Sequence, residues 1–307
     1  MDAKFHGVIA FPVTPTDPQG NFDPKAYRVL IEYLLERGVH GLGILASSGA
    51  GVYFTEQERK QIASAAVEII KGRVPLMVGT AALTTAECVR LTKHAESIGA
   101  DAAAINPVSY WVLTADEVFQ HFEQVANAVS SISICIYNNP RTTQFDILPE
   151  LAGRLSTLPH IDNIKEISPD LGRIAELKKS SGGKLTVSNG RDAQACEAFI
   201  AGADAWQSGI AGVLPEPCVR LFNLVKKDKN YEQARKCAAE FVELCRFFSE
   251  KGLIRSEHTA LEMMGIKVGK PRPPVRVLES ADAEKLKNYL TTLGVIGQGV
   301  GARTGRL

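Results

Sequence analysis

Short apolar runs alternate with longer amphipathic segments along the first two thirds of the chain. The short runs have the length and composition of buried parallel strands, and they predict eight strands, at 7–13, 41–45, 75–79, 102–106, 133–137, 163–167, 184–188 and 204–208. The segments between them repeat apolar residues at the helical period, at 24–36, 55–70, 85–98, 115–129, 173–179 and 192–200. Eight such units predict an α/β fold, the (β/α)8 TIM barrel, whose active site lies at the C-terminal ends of the strands.

Two of the predicted helices begin with recognisable capping signals. Thr55 and Glu58 have the spacing of a capping box, in which each residue binds the other's backbone N–H. Asp23 stands before Pro24, which places a capping carboxylate ahead of a first-turn proline. These signals predict helices that start at about 24 and 55.

The strand pattern stops after Pro215, and the remaining periodicity is helical, at 219–226, 231–250, 256–264 and 281–290. We therefore expect a catalytic barrel at 1–226 and a C-terminal helical region at 227–307. The tail at 297–307 contains glycine and arginine in a spacing that superficially suggests a phosphate loop. Because no strand is predicted before it and no helix after it, we expect this tail to fray or to dock on a partner.

Charge and composition narrow the classes of partner and the compartment. The 307 residues are 45% hydrophobic, and 35 basic against 34 acidic side chains give a net charge of +1, so we expect neither nucleic acid nor a membrane surface as partner. The first residues lack the features of a signal peptide, and no apolar run approaches the roughly 20 residues of a membrane span. We therefore expect a cytoplasmic protein. Six cysteines stand singly in apolar runs and are expected to be small core residues.

A lone lysine, Lys165, stands in the apolar, strand-like run at 161–168. Burial disfavours the ammonium form of a lysine and yields a neutral amine that can attack a carbonyl carbon. This position therefore favours a nucleophilic role. Two structural alternatives remain open at this point, because a lysine at a strand end can also extend its amine to water or pair with the adjacent Glu166.

Other predicted strands also end in polar or reactive residues. The second strand runs into Ser47 and Ser48, whose hydroxyls and backbone N–H groups could converge on a carboxylate or phosphate, although serines here can also cap a helix. The fifth strand ends at Tyr137, which could instead be an ordinary core tyrosine. The seventh strand is followed by Gly190, and the eighth contains Gln207. The barrel prediction brings all these strand ends to one face.

In combination these segments resemble the dihydrodipicolinate synthase and N-acetylneuraminate lyase family, which are Schiff-base lyases built on the (β/α)8 barrel. The resemblance covers most of the chain. It includes the opening strand at 7–15, the serine pair and glycine at 47–49, the Tyr-Asn-Asn-Pro sequence at 137–140, Ile-Lys-Glu at 164–166, the Gly-x-Asp sequence at 190–192 and the helical C-terminal region.

The resemblance implies a role for each of these residues. Lys165 would form an imine with a 2-oxo acid such as pyruvate, and Tyr137 would shuttle protons. Ser47 would pass a proton to or from Tyr137, while Ser48 and the neighbouring backbone amides would hold the substrate carboxylate. Gly190 would line the substrate site. The covalent imine would need no metal or other cofactor, and the family implies a homotetramer built from two dimers.

Several positions differ from the family pattern. We expect these differences to affect the choice of second substrate more than the imine chemistry. Ala50 replaces a common glutamate, and Gln207 replaces an apolar residue beside the imine. Arg141, the candidate for gripping a second carboxylate, lies one residue earlier than the family's arginine. Tyr110 is the nearest candidate for a tyrosine given to a neighbouring subunit's site. We therefore expect aldol cleavage, condensation or dehydration of a hydroxy-oxo acid or sugar acid.

Three other interpretations remain. The chain could be a genuine 4-hydroxy-tetrahydrodipicolinate synthase of lysine biosynthesis, or a barrel that binds a 2-oxo acid without turnover. A metal-dependent aldolase would need converging carboxylate or imidazole ligands, and the six histidines show no ligand spacing. Trapping with borohydride in the presence of pyruvate separates an imine-forming lyase from the binding barrel and the metal-dependent aldolase, because only an imine is reduced to a stable adduct.

Overall fold

The computed structural model describes residues 5–297 and contains a closed barrel of eight parallel strands. Each strand pairs with the next along the chain, and the eighth pairs with the first, so the sheet has no free edge. The strands are β1 (Gly7–Ala10), β2 (Gly41–Ile44), β3 (Leu76–Gly79), β4 (Ala102–Ile105), β5 (Ser133–Asn138), β6 (Ile161–Glu166), β7 (Thr186–Asn189) and β8 (Ala205–Ser208). All eight predicted strands are present, and the predicted (β/α)8 barrel with a helical C-terminal part is confirmed.

Helices cover the outside of the barrel and continue beyond its last strand. They are α1 (Pro24–Glu36), α2 (Glu56–Ile70), α3 (Thr85–Ser97), α4 (Ala115–Ala126), α5 (Pro140–Thr143), α6 (Pro149–Leu155), α7 (Gly172–Ser180), α8 (Ala195–Ile200), α9 (Pro215–Lys226), α10 (Tyr231–Lys251), α11 (Leu253–Met263) and α12 (Ser280–Thr292). The sequence pattern missed α5 and α6, because neither is long enough for an apolar stripe to repeat. It also started α9 and α11 too late.

Both predicted helix caps are present. The Thr55 hydroxyl accepts a hydrogen bond from the backbone N–H of Glu58, and the Glu58 carboxylate accepts one from the Thr55 N–H. The Asp23 carboxylate accepts hydrogen bonds from two first-turn N–H groups of α1. These caps fix the residues at which α1 and α2 begin and thereby restrain the loops that precede the two helices.

Small residues leave room for an aromatic ring inside the barrel. A β-carbon at Gly43 would lie 2.2 Å from Cζ of Phe11, so only glycine at this position of β2 admits the ring. Phe11 packs in a separate interior cluster with seven other buried side chains, namely Phe5, Ile9, Met77, Ala102, Ala104, Cys135 and Ala205. The six cysteines are all unpaired and buried, as predicted.

The C-terminal helices pack directly on the barrel. Trp206 of β8 stacks on Phe241 of α10, with ring centres 6.5 Å apart, and both belong to the main hydrophobic cluster that surrounds the strands. The helix α11 carries Glu257 to the end of β2, where it contacts Ser48. Of the predicted tail, 298–307 lies outside the described residues. Within the described part of the chain, every helix is too short or too polar to cross a membrane.

Candidate active site

Lys165 and Tyr137 occupy neighbouring strands at the same level of the barrel. They are paired in register between β6 and β5, and the Lys165 Nζ lies 4.5 Å from the centre of the Tyr137 ring. The Phe11 ring lies on another side of the amine, with its centre 4.2 Å from Nζ. Lys165 is 6% exposed and Tyr137 is 5% exposed, so both side chains are inside the barrel mouth.

The two structural alternatives for Lys165 are wrong. A lysine that extends to water would be exposed, and this one is buried. Glu166 lies on the opposite face of β6, where its carboxylate accepts hydrogen bonds from Asn138 Nδ2 at 2.9 Å and from the Ser168 N–H at 2.6 Å. Within 5–297, no carboxylate lies within 4.0 Å of the Lys165 amine. The amine is therefore held by packing against aromatic rings and not by an ion pair.

The Tyr137 hydroxyl belongs to a short hydrogen-bonded chain. It lies 3.2 Å from Ser47 Oγ, and Asn139 Nδ2 donates to it at 3.1 Å. Because Asn139 supplies a donor, the phenol oxygen accepts from Asn139 and is free to donate its proton to Ser47. Tyr137 thus has the connections that a proton-transfer group between the lysine and the serine would need.

The loop after β2 presents backbone donors at the barrel mouth. Among the described residues, no acceptor contacts the backbone N–H groups of Ser47 and Ser48. The loop is held by Thr14, whose hydroxyl donates to the Gly49 carbonyl at 2.8 Å, and it bends through left-handed conformations at Leu45 and Ala50. Two adjacent N–H groups without partners in a tight turn suit a carboxylate or another anion.

Glu257 is a site residue that the sequence analysis missed. The Ser48 hydroxyl donates to Glu257 Oε1 at 3.0 Å, and the second oxygen, Oε2, is buried without a hydrogen-bond partner among residues 5–297. Burial is the main cause that raises the pKa of this carboxyl well above its usual value, and the charge of Asp192 adds to the effect. A signal was present in the sequence, since Glu257 falls on the apolar face of α11 together with Ala260 and Leu261.

Asp192 holds the loop after β8 in place. Its Oδ1 accepts hydrogen bonds from Trp206 Nε1 and from Ser208 Oγ, both at 2.8 Å, and its Oδ2 accepts one from the Ile210 N–H at 3.1 Å. This carboxylate therefore ties the end of β7 to the end of β8. The glycine before it, Gly190, lies against the Lys165 side chain.

Gln207 lies deep in the barrel and is fully buried. Its Nε2 donates to Ser188 Oγ at 3.2 Å and contacts Cys135 Sγ at 3.4 Å, while its Oε1 has no partner within the described barrel. Ser188 is paired in register with Lys165. Gln207 therefore reaches the strand neighbour of the lysine and makes no hydrogen bond to the amine itself.

Two predicted site residues are exposed at the surface of this chain. Arg141 is exposed on α5, and its guanidinium donates to Ser249 Oγ on α10 at 3.4 Å. Tyr110 is 82% exposed in the loop after β4, where its ring meets Trp111 edge to face. The structure thus brings together Lys165, Tyr137, the serine pair and Gly190, and leaves Arg141 and Tyr110 at the surface.

A metal ion at the site would need several ligand side chains close together. Across residues 5–297, no group of three or more histidine, cysteine, aspartate or glutamate side chains is arranged to hold a metal ion. The chemistry that the arrangement itself offers is that of a buried amine, a phenol and an anion-binding turn.

Comparison with known proteins places this arrangement in a family. The chain matches the model of the dihydrodipicolinate synthetase family over residues 4–293. It is 31% identical over 293 residues to the 4-hydroxy-tetrahydrodipicolinate synthase of Thermodesulfovibrio yellowstonii, an alignment that covers 95% of this chain and 99% of the relative.

Two solved structures are similar to this chain over nearly its whole length. The dihydrodipicolinate synthase from Agrobacterium tumefaciens has a TM-score of 0.89 and 38% identity, covering 94% of this chain and 98% of that one. The chloride-inhibited dihydrodipicolinate synthase from Acinetobacter baumannii, complexed with pyruvate, has a TM-score of 0.91 and 28% identity, covering 96% and 100%. The family predicted from the motifs is confirmed: this chain belongs to the dihydrodipicolinate synthetase family and is a lyase.

Proposed function

We propose that this lyase works through an imine between Lys165 and a 2-oxo acid of the pyruvate type. The proposal is carried by a buried lysine that makes no ion pair within 5–297 and is in register with Tyr137. The Tyr137 hydroxyl reaches Ser47, in a turn whose two backbone N–H groups are unbonded in the same range. The related synthase that was solved in complex with pyruvate supports this substrate class. Turnover would be aldol cleavage or condensation, or dehydration, of a hydroxy-oxo acid or sugar acid.

Imine formation follows from the surroundings of the amine. The neutral Lys165 Nζ attacks the keto carbon to give a carbinolamine, which loses water to give a cationic iminium. The faces of Phe11 and Tyr137, whose centres lie 4.2 and 4.5 Å from Nζ, stabilise that cation. Tyr137 would donate the proton that the departing hydroxyl needs and would recover it through Ser47.

Positioning of the 2-oxo acid depends on its carboxylate. The N–H groups of Ser47 and Ser48 would donate to the two carboxylate oxygens, which aims the keto carbon at the lysine. Holding two reacting groups in attack geometry can remove several kcal/mol from the barrier. The same turn would also hold the enamine that forms after a proton leaves the adjacent carbon.

The second half of the reaction uses the iminium as an electron sink. It acidifies the adjacent carbon, so that a C–C bond to an aldehyde can form or break, or a hydroxyl can leave as water. Because the covalent imine performs the role that a metal has in other aldolases, we propose that the enzyme needs no metal or other cofactor.

The second substrate is proposed to be an aldehyde or hydroxy acid other than aspartate semialdehyde. Arg141 turns to Ser249 of α10, and Thr142, which follows it, offers a hydroxyl that donates to the Asn139 carbonyl. A hydroxyl group of the substrate at this position suits these groups better than a second carboxylate. The names of the relatives favour the alternative, a genuine 4-hydroxy-tetrahydrodipicolinate synthase. A barrel that binds a 2-oxo acid without turnover is the alternative of another class.

We further propose that the protein acts in the cytoplasm as a homotetramer of two dimers. Four apolar side chains are well exposed on the loops after β3 and β4, and they form the candidate interface, namely Leu83, Tyr110, Trp111 and Val112. Exposed aromatic rings of this kind are typical of interface centres. Association through this loop would bring Tyr110 close to a second copy of the chain.

Borohydride reduction in the presence of pyruvate, followed by intact mass and peptide mapping, tests the proposed mechanism. The wild type should gain one reduced pyruvyl group on Lys165, and Lys165→Ala should gain none while retaining its fold. Lys178→Ala serves as the control, because that lysine pairs with Asp204 on the outside of the barrel. An adduct on another lysine, or none with any 2-oxo acid, would contradict the proposal.

A further inference from the structure

We propose that Glu257 is a positioning residue for the 2-oxo acid: its carboxyl O–H donates a hydrogen bond to Ser48 Oγ, and the Ser48 hydroxyl in turn donates one to the substrate carboxylate. This inference rests on the proposed Schiff-base function and adds a residue from the C-terminal helices to it. It also makes binding of the 2-oxo acid depend on the protonation of Glu257.

The geometry comes from three segments that meet at the barrel mouth, namely α11, the end of β2 and the end of β8. Glu257 on α11 reaches Ser48 at the end of β2, although the two residues are 209 positions apart in the chain. Ser48 is 2% exposed and Glu257 is 1% exposed. Gly209, which follows β8, leaves the space that the carboxyl occupies, since a β-carbon there would lie 2.7 Å from Glu257 Oε1.

The number of hydrogen-bond donors at Ser48 and Glu257 determines what the Glu257 carboxyl can do. A serine hydroxyl has one proton, which Ser48 now donates to Glu257 Oε1. If Ser48 is to donate that proton to a substrate carboxylate, its oxygen needs a new donor. A protonated Glu257 supplies this donor, whereas an ionised Glu257 would keep the serine proton and would repel the substrate's negative charge. The orphaned Oε2 shows that this carboxyl is not already committed to other partners among the described residues.

The charges around Glu257 favour the protonated form. Burial raises the pKa of Glu257 well above its usual value, the Ser48 hydrogen bond opposes that shift, Asp192 after β7 reinforces it and Lys165 on β6 opposes it. On its own helix, the neighbouring His258 adds no positive charge near neutral pH, because burial lowers the pKa of His258 to about 4. The carboxyl therefore keeps its proton at a pH where an exposed glutamate has lost it.

The test is the pyruvate concentration that gives half-maximal borohydride trapping, measured from neutral to alkaline pH in the wild type and in Glu257→Gln. Glutamine keeps a donor for Ser48 but cannot ionise. The ratio of wild-type to variant half-saturation concentrations should rise by roughly tenfold or more as pH increases, since a hydrogen bond to a charged group is lost only in the wild type. Glu243→Gln, an exposed change on α10, is the control.

Parallel pH profiles in the wild type and Glu257→Gln would overturn the inference, even where trapping itself is intact. A second measurement needs no variant. As pH rises, the preference of the wild type for pyruvate over neutral methyl pyruvate should become smaller. A constant preference across that range would also overturn it. If the wild type forms no adduct with either compound, the Schiff-base function fails and this inference fails with it, which is a different result from parallel profiles.

Discussion

Gly190 and Lys165 touch across the pair of strands β6 and β7: a β-carbon built at Gly190 would lie 2.8 Å from Cε and 3.1 Å from Cγ of Lys165. The first distance is shorter than real β-carbon contacts, the second is tight, and Ile167 Cγ2 would lie closer still, at 2.7 Å. The glycine therefore does not bend the backbone into an unusual conformation but leaves the space in which the lysine side chain extends. Gly190 thereby determines which positions the Lys165 amine can adopt.

Gly190→Ala should slow imine formation by roughly tenfold to a hundredfold, because the added methyl group moves Lys165 away from attack geometry and small misplacements are costly. The rate of borohydride trapping with saturating pyruvate measures this effect. The control is Gly172→Ala, whose β-carbon would meet only the Asp170 side chain, at 3.1 Å. Equal trapping rates for the wild type and Gly190→Ala would show that the lysine adapts without loss.

Tyr137→Phe should reduce kcat by roughly 10² to 10⁴, the range for a positioned acid or base, with a much smaller change in substrate affinity. The ring and its packing against Lys165 remain, and only the hydroxyl that bonds to Ser47 and Asn139 is lost. Steady-state kinetics on the enzyme's own substrate measure the split. Tyr231→Phe, at an exposed position on α10, is the matched control. A near-normal kcat would make Tyr137 a packing residue.

The sequence predicted the barrel and the side chains at its strand ends, because both follow from local pattern. Lys165 interrupts an apolar run, and Tyr137 and the serine pair stand where strands must stop. The start of β6 was placed two residues too late, at Asn163, because Asp162 looks like a turn residue although it is an exposed position of the strand that begins at Ile161.

Contacts between distant segments could not be predicted in this way. Glu257 reaches Ser48 only because α11 packs over the barrel mouth, and no periodicity specifies that placement. The direction of Arg141 likewise depends on α10, which supplies Ser249 as its partner. Residues on strands were therefore predictable one by one, whereas those on the C-terminal helices required the packed structure.

His258 should make the fold less stable in mild acid. Burial lowers its pKa from 6.5 to about 4, so its stabilising contribution is complete above 6.5 and is lost as pH falls towards 4. The shift corresponds to about 3 kcal/mol in the free energy of unfolding. Glu257 acts in the opposite direction, because its raised pKa gives a contribution that is present at low pH and is lost as pH rises.

Urea unfolding of the wild type and His258→Gln at about pH 7 and about pH 4.5 isolates the histidine. The stability advantage of the wild type should shrink by about 2 to 3 kcal/mol at the lower pH. An advantage that does not change with pH would mean that His258 takes up a proton as readily in the folded chain as in the unfolded one, with its contact to the Gly269 carbonyl intact.

Trp111→Lys should weaken self-association, because it places a charge in the exposed aromatic loop that we propose as the dimer interface. Light scattering at micromolar concentration should give a tetramer for the wild type and smaller species for this variant. Leu148→Lys, at another exposed apolar position, should leave the mass unchanged. A wild type that is only a 33.2 kDa monomer would remove the interface and any role of Tyr110 in a second subunit's site.

The last prediction is that the enzyme condenses pyruvate poorly with aspartate semialdehyde. That substrate has a carboxylate that needs a fixed guanidinium, since a bidentate pair is both strong and geometrically selective. In this chain the candidate guanidinium, Arg141, is exposed and bonds to Ser249, and the next residue is Thr142. We expect kcat/KM to be well below roughly 10⁴ M⁻¹s⁻¹, the low end of the usual range.

A gain of function makes this prediction specific. Thr142→Arg places a guanidinium where the family pattern has one, and it should raise kcat/KM for aspartate semialdehyde by roughly tenfold or more, the effect of one charge-assisted pair. Thr142→Lys should help less, because an ammonium cannot make the bidentate contact. A wild type that already reaches the ordinary range would identify the chain as a genuine 4-hydroxy-tetrahydrodipicolinate synthase. A low wild-type value with intact imine trapping, restored by Thr142→Arg, would trace the specificity to that one position.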